Sequence, residues 1–339
     1  MKIFIIHKWR QEYLLCCIKQ LLKYNDAKDI VFLTDDKKLT KKYIWENDIT
    51  YENISDYFKS ANEFAKYYQH RSYNKAEYEL FCMQRRLILN EYINSHNINI
   101  ISHIDTDVLI YCNMKEYYSQ NLIWIDFSCT WWSWWIFFGT KKWLNSFSAF
   151  LMDCYKNNFY TLEPYFTWKI IPQVRRWDWY IYYDKTNCVT DMTLFYKFLK
   201  EWIKNSDLQV KDIWLINDSV VFDSAITTPD WFEYIWWLKR IKRENNVPYC
   251  YLKNKKKKWK IYFYWLHFQW ESKIFMKKYY DRTFSLWHFL PQLKYRIKKY
   301  FIEFCEFVFR VLWIHSLMRN IRLKIIRRWI DPKSKLHIF

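Results

Sequence analysis

Two acidic residues separated by one position form the clearest chemistry-bearing pair of the sequence, in Asp105-Thr106-Asp107. In an extended segment, residues i and i+2 point to the same side, so both carboxylates can face one ligand. Carboxylate oxygens are preferred ligands of divalent cations such as Mg²⁺. The spacing therefore predicts that Asp105 and Asp107 bind one divalent cation, and the alternative is an ordinary Asp-x-Asp turn at the end of a strand.

Glycine is far too rare for a chain of this length. The 339 residues include 1 Gly and 22 Trp, whereas the usual glycine share of about 7% would give roughly two dozen. Turns and close backbone approaches depend on glycine, and the run Trp131-Trp132-Ser133-Trp134-Trp135 would crowd four indoles together. The many Lys, Ile, Asn and Tyr residues indicate an AT-rich gene, in which the tryptophan codon UGG should be scarce.

We predict that most Trp letters are UGA codons that the organism reads as glycine. The 22 Trp and 1 Gly together match an ordinary glycine share, and the 131–135 run would become a Gly-Gly-Ser-Gly-Gly loop. The alternative is a truly Trp-rich protein that binds carbohydrate or a membrane through aromatic platforms.

Under this interpretation the segment His267 to Lys273 becomes H-x-x-G-x-x-K. This segment resembles the C-terminal motif of metal-dependent GT-A glycosyltransferases of the family 8 type. The D-x-D pair is the second landmark that resembles this family. The Pro-Trp that usually follows the lysine is replaced by Ile274-Phe275. Segments 130–140 and 189–194 are similar to the donor-sugar loop and the following helix of that superfamily, in the same order.

The resemblance implies a GT-A-like α/β fold and transfer of a sugar from a nucleotide-diphosphate donor, UDP-linked, to a surface glycan or a lipid-linked acceptor. It implies that Asp105, Asp107 and His267 hold Mn²⁺ or Mg²⁺, which neutralises the departing diphosphate, and that Lys273 binds the phosphates. Asp191 would lie near the acceptor or the transferred sugar. The identity of the sugar and the stereochemistry of transfer stay open.

The order of hydrophobic runs predicts the elements that would position these residues. In chain order they are a strand (Lys2–His7), an amphipathic helix (Gln11–Tyr24), a strand (Asp29–Leu33), a helix (Glu79–Asn94) and an apolar run (Ile98–His103) that leads into the D-x-D pair. Alternating strands and helices favour a largely parallel sheet, with ligands at the carboxyl ends of its strands.

Three further residues are candidates because of their positions. His7 ends the first strand, where it could contact the donor or be a satisfied core histidine. Asp35 follows the second strand, where it could bind the base or ribose or belong to a solvated turn. Asp191 begins a predicted helix, and its alternative role is to interact with the helix dipole.

The chain carries a formal charge of +19 and nine Cys without a C-x-x-C pair. The charge favours an anionic partner, and the cysteines indicate reduced thiols in a cytoplasmic protein. The segment Met1 to His7 has no signal-peptide pattern. No stretch reaches 18 uncharged apolar residues, so a spanning helix is not expected.

Residues 285–339 are predicted to form a basic amphipathic helical tail that follows a catalytic domain of residues 1–284. From Leu286 onward there are 12 Lys and Arg against 3 Asp and Glu. Such a tail suits an anionic membrane surface, here the inner face of the cell membrane near a lipid-linked acceptor. The alternative is a pair of helices docked on its own domain or on a second subunit.

Two other functions remain alternatives. A nucleotidyltransferase should show a glycine-rich basic loop after its first strand, and His7-Lys8-Trp9-Arg10 offers only a fragment of one. A non-enzymatic protein that binds membrane or nucleic acid would explain the charge but neither motif. Lys255–Lys258 is interpreted as a solvated hairpin tip, so nucleic acid is not an expected partner.

Overall fold

The structure is a computed structural model that describes residues 1–8, 13–36, 48–72, 74–130, 133–157, 189–203, 206–213, 215–217, 220–223, 226–227, 232–235, 238–253, 259–281 and 301. The chain divides into two compact units, Met1–Tyr280 and Asp281–Phe339. The predicted tail, residues 285–339, lies outside the described residues except for Phe301, so its structure and role stay predictions.

Strands and helices alternate through the first half of the chain. The strands are β1 (Lys2–His7), β2 (Ile30–Thr34), β3 (Thr50–Asn53), β4 (Ile100–Ile104), β5 (Val108–Ile110), β6 (Phe127–Thr130), β7 (Ser133–Thr140), β8 (Val210–Asp212), β9 (Leu215–Asn217), β10 (Val220–Phe222), β11 (Tyr234–Ile235), β12 (Leu238–Lys239), β13 (Lys242–Glu244), β14 (Val247–Tyr251) and β15 (Lys260–His267). The helices are α1 (Leu14–Leu22), α2 (Lys59–Ala65), α3 (Ala76–Ser95), α4 (Met114–Asn121), α5 (Lys141–Lys156), α6 (Asp191–Lys197) and α7 (Met276–Asp281).

A seven-stranded sheet forms the centre of the first unit, in the order β3-β2-β1-β4-β7-β6-β8. The first four strands of this order are parallel, whereas β7 runs antiparallel to both of its neighbours. The predicted α/β fold with a parallel-rich sheet is confirmed.

Both faces of this sheet are buried, which explains why β1 has a continuous apolar run instead of alternating residues. Phe4 belongs to one core, which includes Leu87 of α3 and Phe195 of α6. Its neighbour Ile5 belongs to the other core, which includes Leu14 of α1 and Phe263 of β15. Helices therefore cover one face, and α1 with a second sheet covers the other.

The second sheet has the order β13-β14-β15-β10-β9, and β5 pairs antiparallel with the last three residues of β15, Trp265 to His267. Since β4 belongs to the first sheet and β5 to the second, the intervening Asp105-Thr106-Asp107 segment passes from one sheet to the other. The acidic pair thus lies where the two sheets meet.

Predicted and observed boundaries agree closely for most elements. Helix α1 is shorter than the predicted Gln11–Tyr24, while α3 contains all of Glu79–Asn94. The predicted loop at 131–135 is wrong in extent, because Thr130 pairs with Ser133 and β7 begins there. Residues 131–132 and the tip Lys255–Lys258 lie outside the described residues, but the flanking strands β14 and β15 pair as an antiparallel hairpin.

Asparagine and aspartate supply left-handed backbone positions in this glycine-poor chain. The non-glycine residues with positive φ in the described part are Asp48, Asn97, Asn245 and Asn246, and these side chains tolerate that conformation best. The one glycine, Gly139, lies against the Trp143 ring, where a Cβ would come within 3.0 Å. The glycine interpretation of the Trp letters stays a prediction.

Described indoles fall into two environments. Trp143 is fully buried and stacks on Phe127 at 4.0 Å, and Trp265 stacks on Phe222 at 3.6 Å. Trp124, in contrast, is 84% exposed. Within the described part of the chain, no helix combines the length and the apolar character that crossing a bilayer requires.

Candidate functional site

Three predicted site residues lie at one edge of the first sheet, because β1, β2 and β4 are parallel neighbours. His7 is the last residue of β1 and is buried. Asp35 follows β2 and is exposed, and Asp105 follows β4. This is the carboxyl edge, where ligands bind in open α/β sheets.

Asp107, His267 and Lys273 lie together. The Oδ2 atom of Asp107 is 2.8 Å from Nζ of Lys273, and its Oδ1 atom is 3.5 Å from Nε2 of His267. Lys273 lies in a 3₁₀ helix, Trp270–Phe275, just after β15. The two motifs, about 160 residues apart in sequence, thus meet in space.

Strand pairing explains this proximity. His267 is the last residue of β15, where it pairs with Val108, the first residue of β5. The backbone N–H of Phe268 then donates to the carbonyl of Asp107 at 2.9 Å. The backbone of the second motif is therefore hydrogen-bonded directly to the first.

The charges of this cluster stabilise one another. Burial would raise the pKa of Asp107, but the nearby His267 and Lys273 outweigh it and lower that pKa well below its ordinary value. Burial would lower the pKa of Lys273, yet Asp107 and Tyr13 raise it above its usual range. Asp107 is therefore an anion and Lys273 a cation at neutral pH.

Tyr13, just before α1, contacts the same lysine. Nζ of Lys273 donates to the Tyr13 hydroxyl at 3.3 Å and lies 5.0 Å from the centre of its ring. Burial raises the pKa of Tyr13, so the phenol stays neutral and can accept this hydrogen bond. Lys273 is thus held between an anion and a neutral acceptor.

Asp105 has different neighbours from Asp107. Its Oδ1 accepts a hydrogen bond from Nη1 of Arg85 at 2.6 Å and lies 3.9 Å from Nε2 of His103. Burial and two arginines lower the pKa of His103 well below its ordinary value, so this imidazole is neutral. The Asp105 carboxylate is therefore neutralised by Arg85.

Asp191 lies on the far side of Arg85, with its Oδ2 atom 3.8 Å from Nη2 of that residue. It is the first residue of α6, and Thr190 caps this helix through a capping box with Thr193. Burial raises the pKa of Asp191, against the opposing charge of Arg85. The predicted helix start is confirmed, and Arg85 links Asp191 to Asp105.

Glu79 of α3 is hydrogen-bonded to the start of α6 beside Asp191. Its Oε1 accepts the backbone N–H of Asp191 at 2.9 Å, and its Oε2 accepts from Ser72 at 3.0 Å and from Asn74 at 2.6 Å. Burial, followed by repulsion from Asp191, raises the pKa of Glu79 to about 7.

Glu79 and Arg85 are not among the site residues that the sequence predicts. The signal that could have identified them is the run of apolar residues around them in α3, which buries both sides of that helix. Ionisable groups in such a helix need partners.

The donor atoms present suit a hard divalent cation. Asp107 Oδ1 is buried and accepts no hydrogen bond from the described residues, and it faces the His267 nitrogen. Carboxylate oxygen with imidazole nitrogen fits Mn²⁺ or Mg²⁺ better than structural zinc, which favours thiolates. Among the described side chains, no group of three His, Cys, Asp or Glu is arranged to hold a metal ion, so a cation shared by Asp105, Asp107 and His267 stays a prediction.

No protein family and no curated protein matches this sequence. Among solved structures, the fold is similar to mouse xyloside xylosyltransferase 1 in its apo form, with 10% identity and a TM-score of 0.38 over 65% of this chain and 86% of that one. It is similar to galactosyltransferase LgtC in complex with donor and acceptor sugar analogs, with 13% identity and a TM-score of 0.37 over 66% and 76%.

A cytidylyltransferase from Leptospira borgpetersenii is also similar, with 12% identity and a TM-score of 0.30. That match covers 44% of this chain, which spans only 63% of the cytidylyltransferase. All three TM-scores lie below 0.5, so no functional conclusion rests on them.

Proposed function

We propose that the protein is a metal-dependent glycosyltransferase of the GT-A-like kind, which moves a sugar from a nucleotide-diphosphate donor to a glycan or a lipid-linked acceptor. The observation that supports this function is the cluster of Asp107, His267 and Lys273 at the junction of the two sheets. It joins a candidate cation site to a candidate phosphate-binding lysine.

Asp105, Asp107 and His267 would hold the cation, Mn²⁺ or Mg²⁺, which supplies neutralisation of the negative charge that develops on the leaving diphosphate. Lys273 adds a second positive charge beside it. Since the raised pKa of Lys273 keeps it protonated, it can donate to phosphate oxygens throughout the reaction.

The neighbouring carboxylates would bind the rest of the donor. Asp191, held beside Arg85, can accept hydrogen bonds from hydroxyls of the transferred sugar or the acceptor. His7 and Asp35, at the carboxyl ends of β1 and β2, would contact the nucleotide, which we propose to be UDP. The basic tail, residues 285–339, would hold the enzyme on the inner, cytoplasmic face of the membrane.

The test is hydrolysis of a panel of nucleotide sugars in the presence of Mn²⁺, Mg²⁺ or EDTA, followed by a screen of acceptors. We expect hydrolysis of at least one donor with metal and none with EDTA. Asp107→Asn and His267→Ala should each abolish it, while circular dichroism shows that the fold is intact.

Asp207→Asn is the matched control, because Asp207 is exposed and forms an ion pair with the surface residue Lys142. Full activity of Asp107→Asn, or turnover of no donor, would contradict the proposal. Release of pyrophosphate from a nucleoside triphosphate and a sugar phosphate would instead identify a nucleotidyltransferase.

A further inference from the structure

A fully buried ion pair lies behind His267. Nζ of Lys239, at the end of β12, is 2.5 Å from Oδ1 of Asp223, and both side chains are 0% exposed. Removing two charges from water carries a large desolvation cost, so a buried pair is often no more stabilising than apolar residues of the same size. Stability alone does not explain why this pair is here.

The second carboxylate oxygen of Asp223 binds the backbone of His267. Its Oδ2 accepts the backbone N–H of His267 at 3.2 Å. On the same side of the strand, the N–H of Ile226 donates to the carbonyl of His267 at 2.8 Å. Both backbone groups of His267 are therefore bonded to the segment that follows β10.

Two further hydrogen bonds fix the position of this segment. The indole N–H of Trp265 donates to the Asp223 carbonyl at 3.1 Å, and the backbone N–H of Lys239 donates to the carbonyl of Ile226 at 3.0 Å. Lys239 thus fixes both the Asp223 carboxylate, through its ammonium, and the Ile226 carbonyl, through its backbone.

We propose that the Asp223–Lys239 pair positions His267, holding its backbone so that the imidazole faces Asp107. Lys239 orients the carboxylate of Asp223 through one oxygen, and the other oxygen orients the His267 amide. This inference rests on the proposed function, because it takes His267 to be a cation ligand. Outer partners of metal ligands typically change metal affinity 10- to 100-fold when they are removed.

Two double variants separate positioning from simple stabilisation. Asp223→Leu/Lys239→Met replaces the ion pair by apolar side chains and removes the acceptor of the His267 N–H. Asp223→Asn/Lys239→Met also removes both charges but keeps an oxygen that can accept this N–H. The surface pair supplies the control, Asp207→Asn/Lys142→Met.

The readout is Mn²⁺ affinity, measured by the electron paramagnetic resonance signal of free Mn²⁺, together with the melting temperature. We expect Asp223→Leu/Lys239→Met to lose at least 10-fold in Mn²⁺ affinity, while the Asn-containing variant and the control stay within about 2-fold of the unmodified protein. If the Leu-containing variant does not fold, Asp223→Ala/Lys239→Met takes its place.

Equal Mn²⁺ affinity in all variants would overturn the inference, and so would an equal loss in the Leu and Asn variants, since the retained acceptor would then be irrelevant. Failure of the proposed function looks different, because the unmodified protein would then show no Mn²⁺ binding that depends on Asp107.

Discussion

The proposed role of Lys273 in phosphate binding can be tested directly. This lysine contacts Asp107 and Tyr13 and carries the positive charge that binds phosphates. Lys273→Ala should reduce kcat/KM for the donor by about 10²- to 10³-fold, a loss typical of one preorganised donor to developing negative charge. Both kcat and KM should change, since the lysine binds the phosphates before and during departure of the diphosphate.

Lys277→Ala is the control for this substitution, because Lys277 is an exposed lysine of α7 only four residues away. Steady-state kinetics at saturating Mn²⁺ measure both variants. An unchanged kcat/KM in Lys273→Ala would exclude the lysine from phosphate binding.

We expect the stability of the protein to depend on pH through Glu79. Its pKa is raised to about 7 by burial and by Asp191, so the protonated form is favoured in the folded state. This preference stabilises the folded protein fully below the unfolded-state pKa of Glu79, and the stabilisation is lost as the pH rises through about 7. The free energy of unfolding should fall by about 3 kcal/mol over this range.

Glu79→Gln should lack most of this decrease, because glutamine does not ionise. Urea unfolding at pH 5 and pH 8 measures the difference, and Glu63→Gln, in the solvent-facing part of α2, is the control. Identical pH dependence in the unmodified protein and in Glu79→Gln would refute the assignment.

Among the elements, helix α6 is short and depends on its first residues. The Thr190 hydroxyl accepts the backbone N–H of Thr193 at 3.3 Å, and the backbone N–H of Thr190 donates to the Thr193 hydroxyl at 3.2 Å. Thr190→Ala should lower the free energy of unfolding by about 1 kcal/mol, and it should also weaken donor binding because Asp191 begins this helix.

Thr190→Ser is the control, because it keeps the hydroxyl and should behave like the unmodified protein in chemical denaturation. An equal loss of unfolding free energy in Thr190→Ala and Thr190→Ser would disprove the capping role.

Strands β1, β2 and β4 of the first sheet could be predicted from the sequence because their signals are local. The apolar runs of β1 and β2 are continuous, the helix between them is amphipathic, and parallel neighbours must end at one edge. The same argument explains why His7, Asp35 and Asp105, each at the end of one of these strands, lie at the same edge.

The hairpin of β14 and β15 could be predicted from the sequence. The rest of the second sheet could not, because pairing of β5 with β15 joins residues about 160 positions apart. No local pattern records such a contact. For the same reason the shared environment of Asp105, Arg85 and Asp191 was not foreseen: it depends on how α3 packs against α6, not on spacing within either helix. The grouping of His267 and Lys273 with Asp107 was reached only through the resemblance of two motifs.

For the whole molecule, the tail should determine membrane attachment and not donor hydrolysis. Deletion of residues 285–339 removes 12 basic residues of the tail. The shortened chain should still hydrolyse the donor, while its binding to anionic liposomes falls and no longer responds to salt. Cosedimentation with liposomes at low and high salt measures this, and unchanged binding would favour helices docked on a protein surface.

The genetic-code prediction concerns the chain as its own organism makes it. Mass spectrometry of the native protein should show glycine at most Trp letters, including Trp132, Trp135 and Trp270. Intact tryptophan at all of these positions would refute the prediction and remove the glycine from the second motif. Gly139 is an internal reference, because its letter is not in question.

The passage of Asp105-Thr106-Asp107 from one sheet to the other has a mechanical consequence. His267 is the last residue of β15 in the second sheet, whereas Asp105 directly follows β4 of the first sheet. A ligand bound by both residues would crosslink the two sheets, and sliding of one sheet across the other would break its contacts. Ligand binding and the resistance of the two sheets to sliding would then be linked, so that a change in a core contact far from the ligand, such as Leu14 against β5, would weaken binding without touching the ligand.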